Sequence, residues 1–201
     1  MKKFWAQQFR KPTGFGGKIS TFLMNVINGP MYKVIERSVK QNSTILDIGF
    51  GNGYALKQLL KLSNSVFYGI DISADMQKLA CRKNKKSIER GRLHLAEASV
   101  EAIPFKQSFG QIYTINTVYF WEDLKAGFQE VYSKLEPGGE FLNICYTKQW
   151  LEKTSFTQYG FAKYSEEELL SAAKEAGFLA ELIPIKPKKS FYIKAVRPLK
   201  I

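Results

Sequence analysis

The spacing of apolar positions changes period along the chain, and each change marks an element. "TILDIG" (44–49) is a continuous apolar run of strand length, "YALKQLLKL" (54–62) carries apolar residues at helical spacing, and "SVFYGIDIS" (65–73) is a second apolar run. Together they predict a βαβ unit. The alternation continues with a helix from Ala74 to about Lys86, strands at "RLHLAE" (92–97) and "QIYTIN" (111–116), and a helix over "EDLKAGFQEVYSKL" (122–135). A "PGG" turn then leads into a strand at "EFLNICYT" (140–147). Strands that alternate with helices build a mainly parallel sheet covered on both faces.

The two ends of the chain depart from this rhythm. In "SEEELLSAAKEAG", Ser165 followed three residues later by Glu168 is a capping-box signature, and Gly177 closes the helix. "FLAELIPI" and "SFYIKAV" follow, joined only by "KPKK". So short a link cannot carry a parallel crossover, so the two strands are expected to pair as an antiparallel hairpin. At the front, "KISTFLMNVIN" and "PMYKVIERSVK" read as two helical segments divided by Gly29 and Pro30. No repeat or low-complexity stretch separates a second domain. The expected organisation is one domain over 1–201: an N-terminal helical segment (1–44), a ligand-binding core (45–147), and a C-terminal helix and hairpin (148–201).

Composition narrows the class. A chain of 201 residues can bury most of a core without disulfides or a metal. Cys81 and Cys145 lie 64 residues apart with no C-x-x-C partner, which fits two reduced thiols, and His94 is the only histidine, so no metal site is expected. "MKKFWAQQFR" lacks the apolar run of a signal peptide, and no later segment is apolar enough to span a bilayer. A soluble, cytoplasmic protein is expected. The net charge of +12 is uneven: +7 over 1–44, +1 over 45–147 and +4 over 148–201. Basic flanks of this kind suit phosphates or an anionic membrane surface, and equally a solvated face that keeps a protein dispersed.

In an open parallel sheet, ligands bind beyond the carboxyl ends of the strands where the strand order reverses. The loops after Ile48, Ile70, Ala96 and Ile115 should therefore meet. The first of them reads "DIGFGNG", Asp47 to Gly53. A dinucleotide fingerprint needs a third glycine at 54, where this chain has Tyr54, and a P-loop needs Lys-Ser/Thr where "YAL" stands. A carboxylate at Asp47 would also repel a diphosphate. A ligand with an ammonium group and a ribose suits these residues better. Asp47 can attract the cation directly or through water, while Gly49 and Gly51 let the backbone approach. Asp71, 22 residues beyond Gly49, can accept bonds from both ribose hydroxyls. Ile72 and Met76 offer apolar surface to an adenine ring. S-adenosylmethionine has each of these groups.

Five motifs in order carry a resemblance: "LDIGFGNG", "GIDIS", "AEASVEAIPF", "INTVYFWED" and "KLEPGGEF". The chain resembles the class I S-adenosylmethionine-dependent methyltransferases, of the small single-domain kind, from about Ile45 to Tyr146, with a weaker echo in "YSEEELLSAAKEAGF". The resemblance implies an α/β, Rossmann-like doubly wound sheet of seven strands with the last one antiparallel, in agreement with the hairpin. It implies that Gly49 and Gly51 line the methionine moiety, that Asp71 holds the ribose, and that Ala98 and Ser99 border the adenine, with Gly53 also expected at the cofactor. Asn116 would present its backbone carbonyl to the amino group, and Tyr119 would stand beside the cofactor. The sequence departs from the family at Glu97, where aspartate is common, and at Gly110, where many members carry aspartate.

Methyl transfer from a sulfonium is an in-line displacement, so much of the task is to hold the acceptor close to the methyl group and opposite sulfur. A base is optional; Tyr119, Glu122, Asp123, Tyr146 and Tyr159 are candidates, and no residue is singled out as catalytic. Trp121, Tyr146 and Tyr159 are the expected acceptor contacts. His94 reads as a packed strand residue rather than a base. Amino-methylating nucleic-acid enzymes of this fold often carry [D/N]-P-P-[Y/F] after the fourth strand, and this chain has "NTVY". The expectation is therefore a partly apolar small-molecule acceptor, with nucleic-acid binding at most weak and non-specific. An RNA or protein methyltransferase using the basic flanks, and a non-catalytic partner subunit, stand as alternatives. "RKPTGFGG" (10–17), a glycine-rich stretch around Phe15, is expected to act as a lid.

Overall fold

The computed structural model describes residues 28–199. The lid stretch and the first of the two N-terminal helical segments lie outside the described residues. The second is helix α1 (Gly29–Ser38), with proline in its first turn, where the missing N–H would have no helical partner anyway. Then follow β1 (Thr44–Ile48), α2 (Tyr54–Leu62), β2 (Val66–Asp71), α3 (Ala74–Lys83), the short α4 (Lys85–Glu89) and β3 (Leu93–Glu97). The second half runs β4 (Phe109–Ile115), α5 (Leu124–Lys134), β5 (Leu135–Tyr146), α6 (Lys148–Lys153), α7 (Glu166–Glu175), β6 (Leu179–Lys186) and β7 (Ser190–Val196).

The strands form one seven-stranded sheet in the order β3-β2-β1-β4-β5-β7-β6. All pairs from β3 to β5 are parallel, and β7 runs antiparallel to both β5 and β6. The fold is thus the doubly wound α/β sheet with a C-terminal antiparallel hairpin that the alternation of periods predicts. The order reverses between β1 and β4, whose ladder aligns Ile48 with Thr114, so the crevice for a ligand opens beyond those two strand ends.

Both central strands are apolar because both faces are covered. Ile45, Leu46, Phe109, Ile112 and Tyr113 are completely buried. Beyond them an aromatic group closes the core: the Phe128 ring meets Trp121 and Phe141 with centroids 5.5 and 5.8 Å apart, edge to face. His94, at the β3 edge, stacks on Tyr68 at 4.7 Å.

Local chemistry sets the element ends, and in two places it overrides the periodicity. The apolar spacing carries the third helix to Lys86, whereas the chain breaks at Asn84. There the side-chain amide donates to the Ala80 carbonyl at 3.0 Å and to the Gly53 carbonyl at 3.1 Å, which ends α3 and ties it to the start of α2. The "PGG" residues lie inside β5 instead of preceding it: Gly138 has φ +77° and donates its N–H to the Arg197 carbonyl, and the β4–β5 register shifts there. At α7 the expected capping box is complete. The Glu168 N–H donates to the Ser165 hydroxyl at 3.1 Å, and the Ser165 N–H donates to the Glu168 carboxylate at 2.6 Å.

Candidate cofactor and acceptor site

The β1–α2 loop follows from three glycines, each left-handed for a separate reason. Gly49, Gly51 and Gly53 have φ of +79°, +54° and +71°, a region costly for residues with a Cβ. A Cβ at Gly49 would strike the Thr117 side chain, so that glycine lets the loop after β4 come close. A Cβ at Gly53 would lie 2.6 Å from the Asn84 amide and 2.8 Å from Ala80, so that glycine lets α3 pack against α2. At Gly51 nothing stands within 4 Å, and this glycine opens onto the cavity.

Asp71, at the end of β2, holds that loop in place. Its Oδ2 accepts the Gly51 N–H at 2.8 Å and its Oδ1 accepts the Ser73 N–H at 2.9 Å. Asp47 sits deeper, 3% exposed, with the Tyr113 hydroxyl donating to its Oδ2 at 2.8 Å. Burial pushes the Asp47 carboxyl up to about 7, the Tyr113 hydrogen bond opposes this, and the charge of Asp71 adds to it.

The wall beyond β4 is a buried polar network. Asn116 is left-handed, φ +58°, a conformation asparagine tolerates better than most residues. Its side-chain amide donates to the Asn28 Oδ1 at 2.9 Å, and the Tyr146 hydroxyl donates to the same oxygen at 3.2 Å. The Tyr119 hydroxyl donates to the Asn116 Oδ1 at 3.1 Å and accepts the Tyr146 N–H at 2.5 Å. Tyr32, on α1, is pushed well up by burial and by the nearby Asp47 charge, and stays a neutral phenol.

A cavity of about 160 Å³ joins these loops. Of the residues expected there from sequence, Asp47, Gly49, Gly51, Asp71 and Ile72 line it. So do Met76, Ala98, Ser99, Asn116 and Trp121. Four expected residues do not. Gly53 faces α3. Tyr119 turns inward, 3% exposed, with its hydroxyl held by Asn116 and Tyr146, and its neighbour Phe120 faces the cavity instead. Tyr146 stacks on Trp150 at 3.9 Å and meets the wall network through its hydroxyl at Asn28 and its N–H at Tyr119, and Tyr159 is 44% exposed and apart from the lining. Of the proposed bases, Glu122 lines the cavity, and Asp123 caps α5 by accepting the Ala126 N–H at 3.0 Å. Sequence reasoning missed Asn28, Tyr32, Tyr54 and Thr117, all of which line it. The polar residue ahead of the Gly-Pro helix start was the available signal for Asn28. Among the described residues no cluster of His, Cys, Asp or Glu could hold a metal ion, and no helix is long and apolar enough to cross a membrane.

This arrangement fits the chemistry of S-adenosylmethionine: a carboxylate at the β2 end, an open glycine bonded to it, a second, buried carboxylate on β1, and the apolar Ile72, Met76 and Val100 alongside. Residues 45–139 match the model of a methyltransferase domain family. The chain is 33% identical over 111 residues to an uncharacterized methyltransferase, YdaC, of Bacillus subtilis, covering 54% of this chain and 59% of that protein. It is 27% identical over 155 residues to phosphoethanolamine N-methyltransferase 2 of Caenorhabditis elegans, covering 73% of this chain and 35% of that protein. The solved structure of Haemonchus contortus phosphoethanolamine N-methyltransferase 2 with S-adenosyl-L-methionine superposes with a TM-score of 0.78 at 17% identity, over 98% of this chain and 60% of that one. The chain spans about half the length of the curated relatives it matches. Residues 45–139 thus carry a methyltransferase domain, on the fold of S-adenosylmethionine-dependent methyltransferases.

Proposed function

We propose that the protein transfers a methyl group from S-adenosylmethionine to a small-molecule acceptor. The observation that carries this reading is the meeting of Asp71 with Asp47, Gly49 and Gly51 on one cavity at the switch point between β1 and β4: the two oxygens of Asp71 fix the glycine loop at Gly51 and the start of α3 at Ser73, and a carboxylate at the second strand end is the group a ribose diol requires. In this reading Asp71 holds the ribose, and Gly49 and Gly51 give the methionine chain access to backbone. Asp47 draws the ammonium group, and Ile72, Met76, Ala98 and Ser99 border the adenine. When bound, the cofactor supplies a methyl group activated by a positive sulfur. The chain's part is to position the acceptor and exclude water, with Phe120 and Trp121 offering it apolar surface.

Residues 45–147 serve as the cofactor-binding core in this reading, the C-terminal helix and hairpin complete the sheet, and the described end of the N-terminal segment contributes Asn28 and Tyr32 to the cavity wall. A cytoplasmic setting, in which Cys81 and Cys145 stay reduced, fits the same reading. Incubation with methyl-labelled S-adenosylmethionine and separate metabolite, RNA and protein pools tests it. Label in the metabolite pool is expected; label only in RNA or protein would move the acceptor to a macromolecule, and no label in any pool would favour a partner subunit.

A further inference from the structure

The cavity differs in charge from the molecule around it. The chain carries +12, yet the described residues lining the cavity include Asp47, Asp71, Glu101 and Glu122 and no lysine, arginine or histidine. In the reading above Asp47 and Asp71 serve the cofactor. The other two carboxylates occupy the Phe120–Glu122 side. Glu101 lies in the 3₁₀ turn Val100–Ala102, and Glu122 follows the 3₁₀ turn Val118–Phe120. The Glu101 Oε1 accepts the backbone N–H of Glu122 at 2.9 Å and that of Asp123 at 3.4 Å, so the Glu101 carboxylate is fixed beside the backbone of Glu122, and both residues line the cavity. Phe120 and Trp121 line the cavity next to them in sequence.

Aromatic faces beside carboxylates attract an organic ammonium, by charge and by the ring quadrupole, and they disfavour an anion. We propose that the methyl acceptor is an organic amine with no phosphate or carboxylate close to its amino group, captured as its ammonium by Glu101 and Glu122 against Phe120 and Trp121. This rests on the methyltransferase reading and names its substrate class. For transfer, the ammonium gives one proton to a rim carboxylate. The freed nitrogen lone pair then forms the N–C bond while the electron pair of the breaking C–S bond stays on sulfur, which becomes neutral as nitrogen takes up the positive charge. The rim carboxylate later returns its proton to water.

The test is calorimetry on the full chain saturated with S-adenosylhomocysteine, titrated with probes that share a phenyl-alkyl skeleton: 2-phenylethylamine, 3-phenylpropionate and 2-phenylethyl phosphate. The amine is expected to bind at least about tenfold more tightly than either anion, and the Glu101→Gln/Glu122→Gln pair to lower amine affinity by about tenfold. Both glutamines keep a carbonyl acceptor, so S-adenosylhomocysteine affinity should stay within about twofold and report an intact fold. Equal or reversed preference among the probes, or an amine affinity unmoved by the double substitution, overturns the assignment. Failure of the unaltered protein to bind S-adenosylhomocysteine overturns the methyltransferase reading beneath it.

Discussion

At Asp47 burial, reinforced by the charge of Asp71 and opposed by the Tyr113 hydrogen bond, lifts a carboxyl toward neutrality. Unfolded, it ionises near its ordinary value of 3.8; folded, it holds its proton up to about 7. Between those values the folded chain binds a proton that the unfolded chain has lost. The stability contribution is therefore complete below about pH 4 and disappears as pH rises through about 7. A cationic ligand reverses the preference by favouring the ionised form. Affinity for S-adenosylhomocysteine, which carries the ammonium group, should accordingly rise with pH through about 7. Asp47→Asn should flatten the fall in melting temperature between pH 4 and 7 and weaken ligand binding at pH 8; unchanged profiles in both measurements would contradict the role given to Asp47. At Asp71 the effects differ in kind, because the same carboxylate holds the Gly51 and Ser73 N–H groups. Asp71→Ala should weaken S-adenosylhomocysteine by about tenfold to a hundredfold, as loss of charge-assisted hydrogen bonds of about 1.5–3 kcal/mol implies. It should also lower the melting temperature, which a carboxylate serving the ribose alone would not do.

At the scale of elements, the site and the stabilising devices are separable. α7 packs against β6 and α5, away from the cavity, and its start is fixed by the Ser165–Glu168 capping box. Ser165→Ala should cost about 0.5–2 kcal/mol in denaturant unfolding and leave S-adenosylhomocysteine affinity unchanged. Parallel strands, crossover helices and the C-terminal hairpin were all legible in the sequence because buried strands read as continuous apolar runs and a four-residue link permits only an antiparallel turn. The break at Asn84 was not legible, since it arises from an amide reaching the Gly53 carbonyl 31 residues away. Among Tyr119, Phe120 and Trp121 the sequence offered three consecutive rings with no period to orient them. The 3₁₀ turn Val118–Phe120 directs Tyr119 inward to Asn116 and leaves Phe120 and Trp121 on the cavity. Tyr32 escaped notice for a related reason: on an amphipathic helix a tyrosine reads as packing surface, and only the docking of α1 beside β4 brings it to the ligand crevice.

For the whole molecule, the distribution of charge decides more than its sum. A net +12 would favour a polyanion, but the described cavity lining is acidic. Any grip on RNA or DNA therefore belongs to the outer surface and should be non-specific, fading toward physiological salt as counterion release loses its advantage. Filter binding at two salt concentrations checks this, and tight, salt-resistant RNA binding with methyl incorporation would contradict a small-molecule acceptor. The central claim, that the crevice between β1 and β4 takes S-adenosylmethionine and not a dinucleotide, has a direct test in parallel calorimetric titrations of the full chain with S-adenosylhomocysteine and with NAD. One molecule of S-adenosylhomocysteine bound per chain, with no heat from NAD, is the predicted result; binding of NAD without S-adenosylhomocysteine would contradict it.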